Sequence, residues 1–399
     1  MDTQIGHPPR KRQQLAVVAS FATIFMLGVG ISLLGPSLPG LAGQVRIALP
    51  QAGLFFTFLS LGSIAATLLI ARWMDRPVRH ALVAAGALLA GCALLVVAGS
   101  DTFAQASAGV TLLGLSMSTA GTAPNAIIAD LYRQRAGQML NTLHLCSALG
   151  SFAGPLLIVA STGLGSSYWG AFWLAGVLYL LVGLLWIFSR PPMPLGATGA
   201  AVDGGGTALA ALIPLFLFAA LYMGTEQAFG GWIFTYGRMT AGLDPSTASV
   251  LTALFWLSMV AGRLAAIGIL GRASNRATLY GGIFVGAAGI LVVVLGSLST
   301  PLLWLGTMLV GFGFGPLFPT TLALGAQLAP MRAGAVSSLV VASGSIGVMV
   351  LPYASGGVMA WAGPAGSMAF LLVPLSAMVL CEWYLGWRSR PVGERSFDR

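Results

Sequence analysis

The chain has 399 residues, of which 57% are hydrophobic and 7% charged, and it carries a net charge of +9. A typical soluble domain has about 25% charged residues, so these values exclude a water-soluble globular chain or a disordered one and leave a polytopic membrane protein. The positive balance does not call for nucleic acid, because short cytoplasmic loops are enriched in Lys and Arg and no basic stripe is interleaved with stacking aromatics.

A span needs about 20 mostly apolar residues to cross a hydrocarbon core of ~30 Å. Twelve such windows follow one another. Their continuous apolar character predicts helices rather than the alternating strands of a barrel. After a tail over 1–14, span one covers 15–39; it is too long for a signal-peptide core, holds Gly28, Gly30, Gly35 and Pro36, and has no carboxylate. Spans two and three, 50–72 and 80–99, flank the turn Ala71-Arg72-Trp73-Met74-Asp75-Arg76-Pro77-Val78-Arg79-His80. Span four, 103–131, carries Asn125 and, near its end, Asp130. Span five, 136–161, follows Arg135 and carries Asn141 and His144; at ~1.5 Å per residue His144 lies roughly 12 Å along it. Span six, 166–189, closes a first bundle over 15–189, and the polar stretch at 190–206 is the predicted linker.

Span seven, 207–236, carries Glu226, Gln227 and Trp232, and span eight, 246–271, carries Arg263. Span nine covers 277–298. Span ten, 300–328, is rich in helix-bending residues, with Gly311, Gly313, Gly315, Pro316 and Pro319. Spans eleven and twelve, 333–360 and 364–387, complete a second bundle over 207–387, and a tail runs over 388–399. Cys92, Cys146 and Cys381 fall within spans and have no paired spacing, so no disulfide frame or metal site is expected.

The two bundles are copies. Arg135-Ala136-Gly137 with Pro155 recurs 197 residues later as Arg332-Ala333-Gly334 with Pro352, and the same offset places Gly114 on Gly311, Gly150 on Gly347 and Arg79 on Arg276. Duplicated apolar bundles are a transporter architecture. With the amino terminus inside, sixteen of the 19 basic residues fall on the cytoplasmic side, which predicts cytoplasmic termini. Eighteen arginines to one lysine and very short loops point to a bacterial inner membrane; a single chain is the expected working unit.

Ionisable groups within a membrane are costly and mark function by default. Glu226 lies farthest from a predicted interface. It could carry a proton, remain ionised beside a cation or sodium, accept hydroxyl hydrogen bonds from a sugar stacked on Trp232, or pair structurally with a neighbouring helix. Asn125, Asn141 and His144 form a second polar cluster, either for substrate or as interhelical glue. Asp130 with Arg135 suggests a gating pair at the inner edge. Arg263 sits near enough to the inner end to snorkel, as a gate or as an anion ligand. The sequence offers no nucleophile–base pair and no metal-ligand spacing, so neither an enzyme nor a cofactor is expected.

The turn Ala71 to His80, with a small residue four before Asp75-Arg76, resembles the loop signature of the major facilitator superfamily. Ala71 and Val78 stand where that family usually has glycine. Pro124-Asn125-Ala126, Asp130, Arg135, Gly137, Asn141 and His144 resemble spans four and five of carriers of the fucose:proton symporter and sodium-dependent glucose transporter 1 type. Glu226 with Gly230-Gly231-Trp232, Gly262-Arg263, Gly315-Pro316 and Phe318-Pro319-Thr320 do the same for spans seven, eight and ten. The resemblance implies an all-α fold of two pseudo-symmetric six-helix bundles that alternate access to a central site, with Asp75, Arg76 and Arg79 gating the inner face. It implies a small polar solute, best a monosaccharide, coupled to a proton or sodium. Asn125 in place of an acid, with no carboxylate in span one, argues against coupling of the fucose-symporter kind. Export of amphipathic drugs or lipids is the alternative within transport, and a channel or receptor the alternative outside it.

Overall fold

The structure, a computed structural model, describes residues 11–70, 73, 78–132, 135–189, 211–270, 274–296, 299–329 and 332–388. The predicted linker at 190–206, the outer parts of both tails, and Asp75 and Arg76 lie outside the described residues. Those described form helices and no strands. The first half comprises α1 (Lys11–Gln44), α2 (Leu54–Ile70), α3 (Arg79–Ala98), α4 (Phe103–Leu131), α5 (Ala136–Gly163) and α6 (Tyr168–Phe188). The second comprises α7 (Ile213–Thr240), α8 (Pro245–Leu270), α9 (Asn275–Leu295), α10 (Thr300–Phe314), α11 (Leu317–Leu328), α12 (Ala333–Phe370) and α13 (Leu372–Arg388).

Two differences from the predicted spans have local causes. Span ten is not one helix: it stops at Phe314 and restarts at Leu317, because Pro316 has no N–H to donate to the turn before it. Spans eleven and twelve meet inside α12, where Gly363 takes φ 71°, a conformation open to glycine at little cost, and Pro364 begins the last pass.

The packing repeats with the sequence. α1 packs on α5 as α7 packs on α12, and α2 packs on α4 as α8 packs on α10. In hydrocarbon no hydrophobic drive pulls helices together, so close backbone approach at small residues supplies the contact. A Cβ on Gly150 would meet the Phe25 carbonyl of α1, and one on its repeat mate Gly347 would meet the Ala220 carbonyl of α7. Gly114 stands against Leu59 of α2 in the same way, and its mate Gly311 against Phe255 of α8. Repeat positions are therefore glycine because both halves cross their helices at equivalent points.

Between the halves, α5 packs on α8 and α2 on α12, again as symmetry mates. They close along a seam at one end of the bundle. There the Thr57 hydroxyl donates to the Met349 carbonyl at 2.6 Å, and the Thr162 and Ser246 hydroxyls lie 3.2 Å apart. Gly35 of α1 rests against Gly230 and Gly231 of α7, and Gly53 against Pro352. Asp244 caps α8 at this end, accepting from the Ser246 and Thr247 amides at 2.9 and 3.2 Å. The Thr247 hydroxyl and these amides hold its carboxyl below the usual carboxylate range.

Gly347→Val is expected to lower stability by about 1–3 kcal/mol through overpacking against α7, whereas Gly281→Ala, where a Cβ would meet nothing within 4 Å, is expected to be neutral. Thermal unfolding of both variants in detergent checks this.

Candidate substrate cavity

The break in span ten sets the chemistry of the centre. Pro319 has no N–H, so the carbonyl of Gly315, four residues earlier, lacks its helical donor. It accepts instead from Nε of Arg263 on α8, at 3.2 Å. Next to it the Phe314 carbonyl lies 3.1 Å from the Tyr222 hydroxyl of α7. The rings of Tyr222 and Phe314 meet edge to face, 6.1 Å between centroids, which fixes the phenol over the break. One turn further along α7, on the same face, stands Glu226, and the Tyr222 hydroxyl is also hydrogen-bonded to its carboxylate. Arg263 acts electrostatically on Glu226, on Tyr222 and on His144 of α5.

Glu226 opens onto a cavity of about 170 Å³ between the halves, beneath the seam. Its walls are largely aliphatic and methionine: Leu27 and Ile31 from α1, Met117 from α4, Met223 from α7. Hydroxyls come from Ser60 and Ser63 on α2, Ser118 on α4 and Ser345 on α12. Glu226 and Gln227 supply its acid and amide. Hydrogen-bonding groups from both halves thus converge on one space, with a single carboxylate among the described lining residues.

Of the predicted substrate residues, Glu226 and Gln227 line this cavity and four do not. Trp232 is 0% exposed, and its indole N–H donates to the Pro352 carbonyl at 2.9 Å, so it braces α7 against α12 instead of stacking on a solute. Asn125 turns back on its own helix, donating to the Gly121 carbonyl at 3.2 Å. Asn141 and His144 are exposed on α5, outside the cavity lining.

The predicted gating set also divides. Asp130 pairs with Arg79 at 2.8 Å, with side chains 19% and 4% exposed, and not with Arg135. Arg79 opens α3 and packs against the end of α4, whereas Arg135 sits past the turn, exposed, at the start of α5. Arg263 belongs with the central site. Two residues went unmarked in the sequence. Tyr222 could have been found from its spacing of four before Glu226. Glu382 on α13 is 0% exposed and lies 3.5 Å from Nε of Arg276. Arg276 is the repeat mate of Arg79, so both halves tie the start of their third helix to an acid, from α4 in one and α13 in the other.

Over residues 20–352 the sequence matches the Major Facilitator Superfamily. The chain belongs to that superfamily. Among curated relatives, the sodium-dependent glucose transporter 1 of Xenopus laevis is 26% identical over 322 residues, 73% of this chain and 65% of that protein, so the match spans a little under two thirds of its length. The mouse sodium-dependent glucose transporter 1A is 23% identical, covering 81% of this chain and 85% of its own. A putative sugar efflux transporter of Deinococcus radiodurans is 33% identical over 44% of this chain and 46% of that one. Solved structures with the same fold include the nucleoside transporter NupG, TM-score 0.74 at 14% identity over 95% of this chain and 100% of that one. A bacterial homolog of the human lysosomal transporter Spinster, inward-facing and unoccupied, has TM-score 0.71 at 15% identity over 95% of each chain. This major facilitator is thus a multi-pass membrane protein of a solute-transporter family.

Removing one partner of a buried pair leaves the other charge uncompensated, so Arg79→Ala is expected to cost about 3–5 kcal/mol. The exchange Arg79→Asp with Asp130→Arg is expected to recover part of that loss. Melting temperatures of the single and double variants decide whether the pair is structural.

Proposed function

We propose that this protein is a secondary carrier that moves a small polar solute, best a monosaccharide, by alternating access, with Glu226 as its ion-coupling group. The observation that carries the reading is the cavity between the two halves, with one carboxylate on its wall and a seam closing one end. With both termini cytoplasmic, as the basic residues indicate, the seam faces outward and the cavity belongs to an inward-open state. The serine hydroxyls, Gln227 and Glu226 supply donors and acceptors for a polyhydroxylated solute. Glucose in the names of several relatives supports the substrate class, and "sodium-dependent" supports an ion gradient, of sodium or protons, as the energy source. On this reading Asn141 and His144, exposed on α5, are assigned to the entry path of the solute, and Arg79 with Asp130 to the stability of that end. The carrier acts as a monomer in the inner membrane.

A second reading draws on the aliphatic and methionine walls and on the absence of an aromatic platform among the described lining residues. It makes the cargo amphipathic and the direction export.

Proteoliposomes loaded for exchange and tested with a panel of radiolabelled monosaccharides separate these readings. Wild type is expected to accumulate one of them against its gradient when a proton or sodium gradient is imposed. Glu226→Gln is expected to retain exchange and lose accumulation by at least about tenfold, the loss of about 1.4 kcal/mol of coupling. Accumulation undiminished in that variant removes the coupling role. No sugar flux, with extrusion of a lipophilic cation, favours export.

A further inference from the structure

The phenol of Tyr222 carries one proton and has two acceptors in reach. One is the Glu226 carboxylate, to which it is hydrogen-bonded; the other is the Phe314 carbonyl, 3.1 Å away, at the break between α10 and α11. Arg263, which holds the neighbouring Gly315 carbonyl, acts electrostatically on the same phenol. An arginine only donates, so it does not compete for the phenolic proton.

We propose that Tyr222 is a positioning residue that passes the charge state of Glu226 to the break in span ten, giving its single proton either to the carboxylate or to the Phe314 carbonyl. This rests on the coupling role assigned to Glu226. When Glu226 is ionised it is an acceptor only, and it draws the Tyr222 O–H to itself. The Phe314 carbonyl then has no donor from α7. When Glu226 takes a proton from the cavity water, its own O–H donates to the phenolic oxygen. Tyr222 rotates its O–H onto the Phe314 carbonyl, tying α7 to the break. One proton enters from solvent and stays on the carboxyl; the phenolic proton reorients and leaves no bond. A loading event in the cavity is thereby converted into a link between two helices, at a point where span ten lacks helical hydrogen bonds and can bend.

Other charges around α7 do not duplicate this device. α8 contributes Arg263. α1 carries only Lys11 and Arg12, in its first turn, and α10, α11 and α12 carry no charged residue. On α13, Glu382 is engaged with Arg276, and Arg263 acts electrostatically on His144 of α5.

Amide hydrogen exchange across residues 310–321, in the full-length protein in nanodiscs, tests the proposal with the proton itself as the probe. Rates are compared on the two sides of the Glu226 titration after correction for intrinsic exchange. Wild type is expected to gain about 2- to 10-fold protection at low pH, the effect of one hydrogen bond of about 0.5–1.5 kcal/mol. Tyr222→Phe, checked for an unchanged fold by its melting curve, is expected to show low protection at both pH values. Glu226→Gln, whose amide donates like the protonated acid, is expected to show high protection at both. A pH response that survives in Tyr222→Phe, or that is lacking in wild type, overturns the proposal, as does a response that persists in Glu226→Gln. Transport reads separately: if Glu226→Gln still accumulates solute, the coupling role falls whatever the exchange data show. If coupling is lost in Glu226→Gln while Tyr222→Phe keeps the pH response, the coupling role stands and this inference does not.

Discussion

Hydrocarbon cannot hydrogen-bond a peptide group, and that constraint organises the molecule from its helices to its centre. Each pass is helical because only then are its N–H and C=O groups satisfied within itself. Where a proline interrupts that pattern, the freed carbonyl must find a side chain. Span ten is interrupted by Pro316 and Pro319; Arg263 answers at the Gly315 carbonyl that Pro319 frees, and the Tyr222 hydroxyl reaches the Phe314 carbonyl beside it. These two residues in turn surround Glu226. The central polar cluster is thus the means by which a broken helix is kept satisfied, and through it a bendable segment is wired to the one acid found on the cavity wall.

Duplication supplies the frame around that centre. Equivalent glycines let equivalent helices touch backbone to backbone, so each half is rigid at its crossings, and the halves meet through symmetry-related pairs of helices. The copies differ at the central polar cluster. Span ten is broken, and its counterpart α4 runs unbroken from Phe103 to Leu131 past Pro124. The repeat-related arginines Arg79 and Arg276 keep an ion pair but recruit different acids.

The architecture was legible in the sequence because it depends on span length, apolar continuity and the 197-residue offset, all of which are properties of a single string. Pairings across the fold were not. Asp130 and Arg135 are near in sequence, yet the turn between them directs Arg135 outward while the fold brings in Arg79 from 51 residues away. Trp232 shares a helix with Glu226, but six residues at ~100° each turn it roughly 120° off the Glu226 face, toward α12 and not toward the cavity. The spacing of four between Tyr222 and Glu226 was readable. The Phe314 carbonyl that gives it meaning was not, since a main-chain acceptor leaves no mark in a sequence. Glu382 went unmarked because its burial and its pairing with Arg276 are set by α9, which packs against α13 far away in the sequence.

In the proposed alternating-access cycle the seam must open for solute to pass. Thr162 and Ser246 mark it, with hydroxyls 3.2 Å apart. Thr162→Cys with Ser246→Cys, in a background where Cys92, Cys146 and Cys381 are serine, can be joined by mild oxidation in proteoliposomes that take up a radiolabelled monosaccharide. If the seam opens in each cycle, uptake stops when the disulfide forms and returns on reduction. Undiminished uptake through the cross-linked protein would contradict it.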